Sequence, residues 1–344
     1  MAYSTISKPG LHFNTKLYTG NGGTNAITGV GFQPDKVWIK ERNGTNNHEI
    51  HDVVRGVNYQ IYPNLTNTQT NAANHLTAFG TDGFTVGSDG AVNTNSNTYC
   101  SWNWKAGGST SSNSNGSITS TVSANTTAGF SIVKYTGTGS DATVGHGLGV
   151  VPAMIMVKAI TTTAHDWVIY HKSMGNDKAI ALNLNNAQYT ATGWQSTTPT
   201  NQVFYIKGAA NSVAGAMDFI AYCFAEIKGY SKFGKYTGNG NADGAFIYTG
   251  FKPAFIMHKR TDTTEDWGIT DVKRNTFNVV DKKLRPNANI AEVDQDILDI
   301  NSNGFKWRTT SGEFNSSGGT YIYMAFAEEP LVANVGNSIP ATAR

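Results

Sequence analysis

Hydrophobic residues in this chain fall in short blocks bounded by proline and charge. Val37-Trp38-Ile39 and Ala254-Phe255-Ile256-Met257 are such blocks, of the length expected for well-buried strands rather than helices. Elsewhere polar and apolar residues alternate. Tyr99, Ser101 and Asn103 face one way and Cys100, Trp102 and Trp104 the other, the period of two of a pleated strand. Asp82-Gly83 and Asn303-Gly304 predict tight hairpins, since both central residues of a type I′ turn need positive φ. The acidic stretch Ile290 to Ile300 reads as strand or as a short turn of helix. Short strands without helical stretches between them predict an all-β fold of β-sandwich type.

The pattern repeats. A Tyr-Thr-Gly-x-Gly signature begins at Tyr18, Tyr135 and Tyr236, with its first glycine at Gly20, Gly137 and Gly238. A proline follows at nearly constant distance, at Pro34, Pro152 and Pro253, and a lysine six residues later, at Lys40, Lys158 and Lys259. The ends also correspond: Thr98 to Trp104, Asp218 to Phe224 and Thr320 to Phe326. Self-similarity at this spacing marks a repeat protein. It divides the chain into an N-terminal arm (1–17), a first sandwich (18–108), a flexible Ser/Asn/Gly-rich linker (109–128), a second sandwich (129–231), a third (232–330) and a C-terminal tail (331–344). Within the linker, Ser117 to Val122 reads as a strand leading into the second sandwich. The second and third sandwiches abut and are expected to pack as a rigid pair.

Composition narrows the function. Only 15% of residues are charged, 37 are glycine, and the formal net charge is +2, which gives no support to phosphate-driven nucleic-acid binding. Lys40, Arg42, Lys259 and Arg260 fall at strand ends beside acidic residues and read as a solvated face. Cys100 and Cys223 lie in separate repeats without a CxxC pair, so a zinc site is not indicated; each reads as a small buried hydrophobe. The N-terminus lacks the apolar core of a signal peptide, and no stretch approaches the ~20 apolar residues of a membrane span. Synthesis in a cytoplasm, without standard export or membrane insertion, is the expectation.

No G-x-S-x-G, H-E-x-x-H or P-loop motif occurs, and no cofactor or metal is expected. The best polar constellation is His165-Asp166-Trp167 with His171, matched by Glu265-Asp266-Trp267 with Asp271. The first repeat has Asn47-His48-Glu49-Ile50-His51-Asp52 there, without tryptophan. The structural reading is a Trp packed in the sandwich with polar residues at a loop tip. The functional reading makes Asp166, Trp167, His171, Asp266, Trp267 and Asp271 a glycan-binding surface, or places the acids in glycoside hydrolysis.

Tyr18-Thr-Gly-Asn-Gly22 with Ile27 to Lys40, Tyr230 to Gly240 and Thr320 to Glu328 resemble virion structural proteins of marine tailed phages, of the cyanophage and pelagiphage type. The likeness covers nearly the whole chain. It implies lectin-like or jelly-roll-like sandwich modules on a particle surface and carries over no catalytic residues. The resemblance leaves three readings: a tail-fibre or receptor-binding component touching host surface glycans, a head decoration or head-fibre protein, and a glycan-degrading enzyme. Other virion proteins and further copies of the chain, with a homotrimer favoured, are the partners it implies.

Overall fold

The computed structural model describes residues 4–162, 164–191, 193–331 and 342. The regular structure of the described chain is almost wholly antiparallel strand, and its helices are single turns. Three main sheets share one strand order. An opening strand (Phe13–Thr19, Phe130–Thr136, Ser231–Thr237) pairs with a closing strand (Thr98–Trp104, Asp218–Phe224, Thr320–Pro330). The closing strand pairs with a proline-led strand (Lys36–Glu41, Met154–Ala159, Phe251–Arg260), and that with a fourth (Glu49–Asp52, Val168–His171, Trp267–Asp271). We call the three regions built on these sheets units one, two and three.

Each main sheet is buried on both faces. In unit one Val37, Ile39 and Tyr99 pack against a small outer sheet through Ile27, Leu76, Phe84 and Val86. Unit two does the same with Val144, Phe204 and Ile206, and unit three with Ile247, Phe305 and Trp307. The opposite faces of all three main sheets meet in one shared core, to which Trp38, Trp102 and Trp104, Met156, Tyr222 and Phe224, and Phe255, Met257 and Phe326 contribute. The alternation read from the closing strand is therefore real: Cys100, Trp102 and Trp104 enter the shared core and Tyr99 the sandwich. Registers Phe13↔Trp104, Phe130↔Phe224 and Ser231↔Phe326 make Trp104, Phe224 and Phe326 equivalent. Their ring centroids stand 6.3, 6.0 and 6.1 Å apart, nearly an equilateral triangle. That triangle marks a pseudo-threefold axis inside a single chain.

The signature residues explain themselves in this setting. Just before each closing strand lies a helical turn, at Gly90–Asn93, Asn211–Ala214 and Gly312–Asn315. The signature tyrosines donate to it: Tyr18 Oη to Val92 O (2.8 Å), Tyr135 Oη to Val213 O (2.7 Å) and Tyr236 Oη to Phe314 O (2.8 Å). A side chain at Gly20, Gly137 or Gly238 would overlap the backbone that follows that turn. The second glycine (Gly22, Gly139, Gly240) has φ of +73°, +74° and +67°, a region costly for other residues.

Several expectations need correction. The arm at 1–17 is not separate, because Phe13–Thr19 is the opening strand of unit one. The segment 109–128 is not a free linker. Ser111–Asn113 and Ser120–Asn125 form a hairpin that extends the unit-two sheet to eight strands, and the Ser117 and Ser120 hydroxyls bond Thr143 N and Gly145 O of the outer sheet. Ile290 to Ile300 resolves as strand (Val293–Asn301). Pro34 and Pro152 precede their strands, but Pro253 sits inside Phe251–Arg260 at a bulge, where a missing N–H is tolerated. The hairpins form one residue upstream of the expected turn, with Gly80↔Gly83 and Asn301↔Gly304 closing them. Gly83 and Gly304 are required because a Cβ there would strike Ile27 O or Ile247 O. Units two and three are not a privileged pair, since all three share the core. The tail 331–344 lies, apart from Leu331 and Thr342, outside the described residues.

Candidate functional site

The recurrent lysine sits near the end of each proline-led strand, and at Lys40 and Lys259 an exposed cation was expected. All three are buried. Their ammonium groups donate to backbone carbonyls: Lys40 to Glu41 O (2.6 Å) and Gly44 O (3.0 Å), Lys158 to His165 O (2.8 Å) and Thr66 O (3.0 Å), and Lys259 to Arg260 O (2.5 Å). Burial, opposed in part by nearby carboxylates, lowers each to about 8. The lysine thus ties down the loop after its strand, and only Arg42 and Arg260 keep partial exposure.

Trp167 stands immediately before the fourth strand of its unit and Trp267 begins that of the next. Trp167 and Trp267 are fully buried, so neither offers a ring face to a sugar. Each indole donates across a unit boundary: Trp167 Nε1 to Tyr62 O (2.9 Å) and Trp267 Nε1 to Ala181 O (2.9 Å). The equivalent residue in unit one is His48, which lies against the Arg285 backbone of unit three and whose basicity burial drives far down. Asp166 and Asp266 brace these positions. Asp166 Oδ1 accepts from Asn183 Nδ2 (2.7 Å), whose Oδ1 accepts from Trp167 N (2.8 Å). Asp266, Asn287 and Trp267 repeat the arrangement at 2.8 and 2.9 Å, and Asn47, Asn64 and His48 repeat it in unit one.

His171 and Asp271 end the fourth strand, with Asp52 as the third equivalent, opposite Met154, Phe255 and Lys36. All three are buried and reach the next unit. Asp52 Oδ2 accepts from Tyr222 Oη of unit two (2.7 Å), and Asp271 Oδ2 from Trp102 Nε1 of unit one (3.0 Å). In unit three the residue matching Trp102 and Tyr222 is Met324, which has no donor. There the bridging residue is His171, whose Nε2 lies 3.2 Å from Tyr323 O. The Ser173 N–H donates to His171 Nδ1 (3.2 Å), which places the proton on Nε2. Burial lowers His171 to about 4, so the neutral donor persists at pH 7. A second change accompanies it. Asp52 and Asp271 pair with Arg55 (2.5 Å) and Arg274 (2.6 Å) three residues on, whereas His171 has Met174 there. The spacing Asp-x-x-Arg at 52 and 271, against His-x-x-Met at 171, was present in the sequence; it marks the ion pair within each unit and not the partner across the boundary.

A third set closes the ring through the main chain. Gln69 N donates to Ile160 O (3.3 Å), Gln188 N to Thr261 O (2.9 Å) and Glu292 N to Arg42 O (2.7 Å). The Glu292 carboxylate also bridges Arg42 (2.7 Å) and Arg274 (3.0 Å). Unit one therefore holds two, two holds three, and three holds one. Four of the six candidate residues, Trp167, Trp267, His171 and Asp271, are inter-unit staples around this ring, and Asp166 and Asp266 brace the two tryptophans from within their own units; the six do not form one cleft.

Two buried groups were missed. In unit one Glu49 accepts from His75 Nδ1 (2.9 Å) and faces His51 Nε2 (3.3 Å), and His75 Nε2 meets Asp89 (3.2 Å). The imidazoles hold the Glu49 carboxyl below its ordinary value despite burial, and the carboxylates raise His75. Lys36 Nζ has no hydrogen-bond acceptor among the described residues and stands over the rings of Trp104 (3.8 Å), Trp38 (4.9 Å) and Tyr222 (4.9 Å). Burial sharply lowers its pKa, and the ring faces favour whatever charge it keeps. Cys100 and Cys223 are free and buried. Among the described residues no cluster of His, Cys, Asp or Glu is arranged to hold a metal, and no helix is long and apolar enough to cross a membrane.

A cavity of about 610 Å³ lies between the N-terminal segment and unit three, lined by Leu11, Phe13, Asn14, Ala254, Val272 and Lys273 among others. None of the six candidates lines it. Residues 8–330 match a family described as a domain of unknown function, DUF7483. The chain belongs to that family. No curated protein matches it. The DUF7483 match begins in the N-terminal segment and ends with the last closing strand, so it takes in all three units.

Proposed function

We propose that this DUF7483 chain is a non-enzymatic structural protein exposed on the surface of a tailed-phage particle, acting in host adsorption as a tail-associated component. The observation that carries this reading is the closed ring of three units around one aromatic core. Several of its buried ionisable residues, Asp52, His171 and Asp271 among them, hold units together, as a strut requires. The likeness of its signature segments to virion structural proteins supplies the particle. The threefold arrangement that three chains could provide is supplied here within one, so a single ring of 36.9 kDa is the unit we propose, seated at a position of threefold symmetry. A mass of three chains in light scattering would restore the homotrimer.

One observation favours a second reading, a head decoration protein: the chain has no coiled-coil or collagen-like stretch from which to build a long fibre. Quantitative mass spectrometry of purified virions, normalised to the major capsid protein, separates the two. Tens of copies support the tail component, and a hundred or more support the head. Absence from particles overturns both. For the enzymatic alternative, polysaccharide cleavage abolished by Asp166→Ala and Asp266→Ala would overturn the non-enzymatic reading.

A further inference from the structure

Because the three units share a strand order, their outer sheets can be compared position by position. Ile27, Val144 and Ile247 are equivalent, pairing with Phe84, Phe204 and Phe305 and pointing into their sandwiches. The residues on either side of each point outward. They are Ala26 and Thr28 in unit one, Thr143 and Gly145 in unit two, and Phe246 and Tyr248 in unit three. In unit two this strand is covered by the chain's own hairpin, through an Ile118↔Val144 bridge and Ser117 N to Thr143 Oγ1 (2.8 Å). In unit three it carries two aromatic rings, 48% and 54% exposed. The other units fold without rings there, so folding does not account for Phe246 and Tyr248.

Their surroundings are built. Lys306 and Asp299 lie across from Phe246, and Gly304 and Asn301 across from Tyr248, all on the same face. The Phe246 ring reaches the space a Cβ on Gly304 would occupy, which lays it along the sheet. Asp243 pairs with Lys306, and Arg308 reaches both Asp243 (3.6 Å) and Asp299 (3.5 Å). Two cations and two carboxylates cancel, which leaves oriented donors and acceptors without a net field. The geometry points to this face of unit three as a binding site for a neutral saccharide, whose apolar ring faces lie on Phe246 and Tyr248 and whose hydroxyls bond the fixed polar groups. The balanced charge argues against an acidic glycan or an oppositely charged protein patch. The site is shallow and open, so a single contact is weak and adsorption depends on many copies.

This inference rests on the surface role proposed above, and the test keeps the two apart. Cellohexaose, chitohexaose and mannohexaose are titrated into the full chain by calorimetry and by following aromatic-ring resonances. At least one is expected to bind, with a Phe246→Ala/Tyr248→Ala pair weakening it at least tenfold at unchanged Tm, since both side chains are exposed. Tyr248→Phe should retain most of the affinity, and Tyr189→Ala, at an exposed ring in unit two, all of it. Binding that survives the double substitution, or no binding to any of the three, overturns the site. So does self-association that the double substitution abolishes without any sugar binding, which would make the face a protein contact. Soluble chain that competes with phage for host cells equally well with and without the two rings would leave the adsorption role standing and remove this site alone.

Discussion

Units one and two share a strand order and differ in what they bury between their layers. The positions held by Val168 and Tyr170 in unit two, with Tyr170 against Trp194, are Glu49 and His51 in unit one, joined by His75. One backbone thus accepts either an apolar filling or a buried carboxylate with its imidazoles. The shared core is what permits this. A sandwich that need not stand alone can carry a polar interior, because its main sheet is held from the other side by aromatic residues of its neighbours.

The most severe test of that account is Trp104→Ala at the pseudo-threefold axis. It should cost about 3–5 kcal/mol in one cooperative denaturant transition seen by probes in every unit. A separate transition for unit one would mean that the units stand independently. Asp52→Ala leaves Arg55 buried without its carboxylate, beside an unpaired Tyr222 hydroxyl. Its expected cost, about 3–5 kcal/mol, should exceed that of His171→Ala, where only a neutral hydrogen bond of roughly 1–3 kcal/mol is lost. Equal losses would remove the distinction between the charged staples and the neutral one.

Acid sharpens the comparison further. Burial lowers His51, His146, His171 and His258 in the folded chain, the last to about 3. The unfolded chain binds those protons first, so stability falls as pH drops below about 6.5. For His171 the loss approaches roughly 3 kcal/mol near pH 4. Glu49, held low, adds stability above its unfolded value that disappears as pH falls through its folded one. His75 is raised, and its contribution is complete below about 6.5 and lost as pH rises through its folded value. His75→Gln should therefore lower Tm by a constant amount below pH 6.5 and remove the gain in Tm that the native chain shows as pH falls through the folded value of His75 towards 6.5. A difference between the two proteins that does not change with pH across that range would show that unit one gains nothing from the pair. The smallest effect is expected of Ile118→Ser, about 1–2 kcal/mol for partial loss of a buried side chain. It should raise amide exchange along Ala142–Gly145 and leave Phe246–Tyr248 unchanged.

Much of the fold was legible because it follows local rules. Period-two alternation found the closing strands, and the Tyr-Thr-Gly-x-Gly spacing found the units. Association between units was not legible. A residue facing a neighbouring unit is chosen by a partner far along the chain, 170 positions away for Asp52 and Tyr222, and nothing local records that pairing. For the same reason Lys40 looked like a surface charge, since the carbonyls that receive it belong to a loop whose path the sequence does not display. The candidate tryptophans were found as packed residues, but their role as bridges depended on the ring. The aromatic face of unit three became visible only once Ala26, Thr143 and Phe246 could be set at one position.

Every opening strand starts beside the end of its closing strand, as Phe13 does beside Trp104 and Phe130 beside Phe224. The passages from unit to unit, at 105–129 and 225–230, consequently all cross at one pole of the ring. The opposite ends of the same strands carry reversals such as Gly20-Asn21-Gly22. A label or cargo inserted into one of those reversals stands a full strand length from the junctions, and the ring acquires a built-in up and down from chain routing alone.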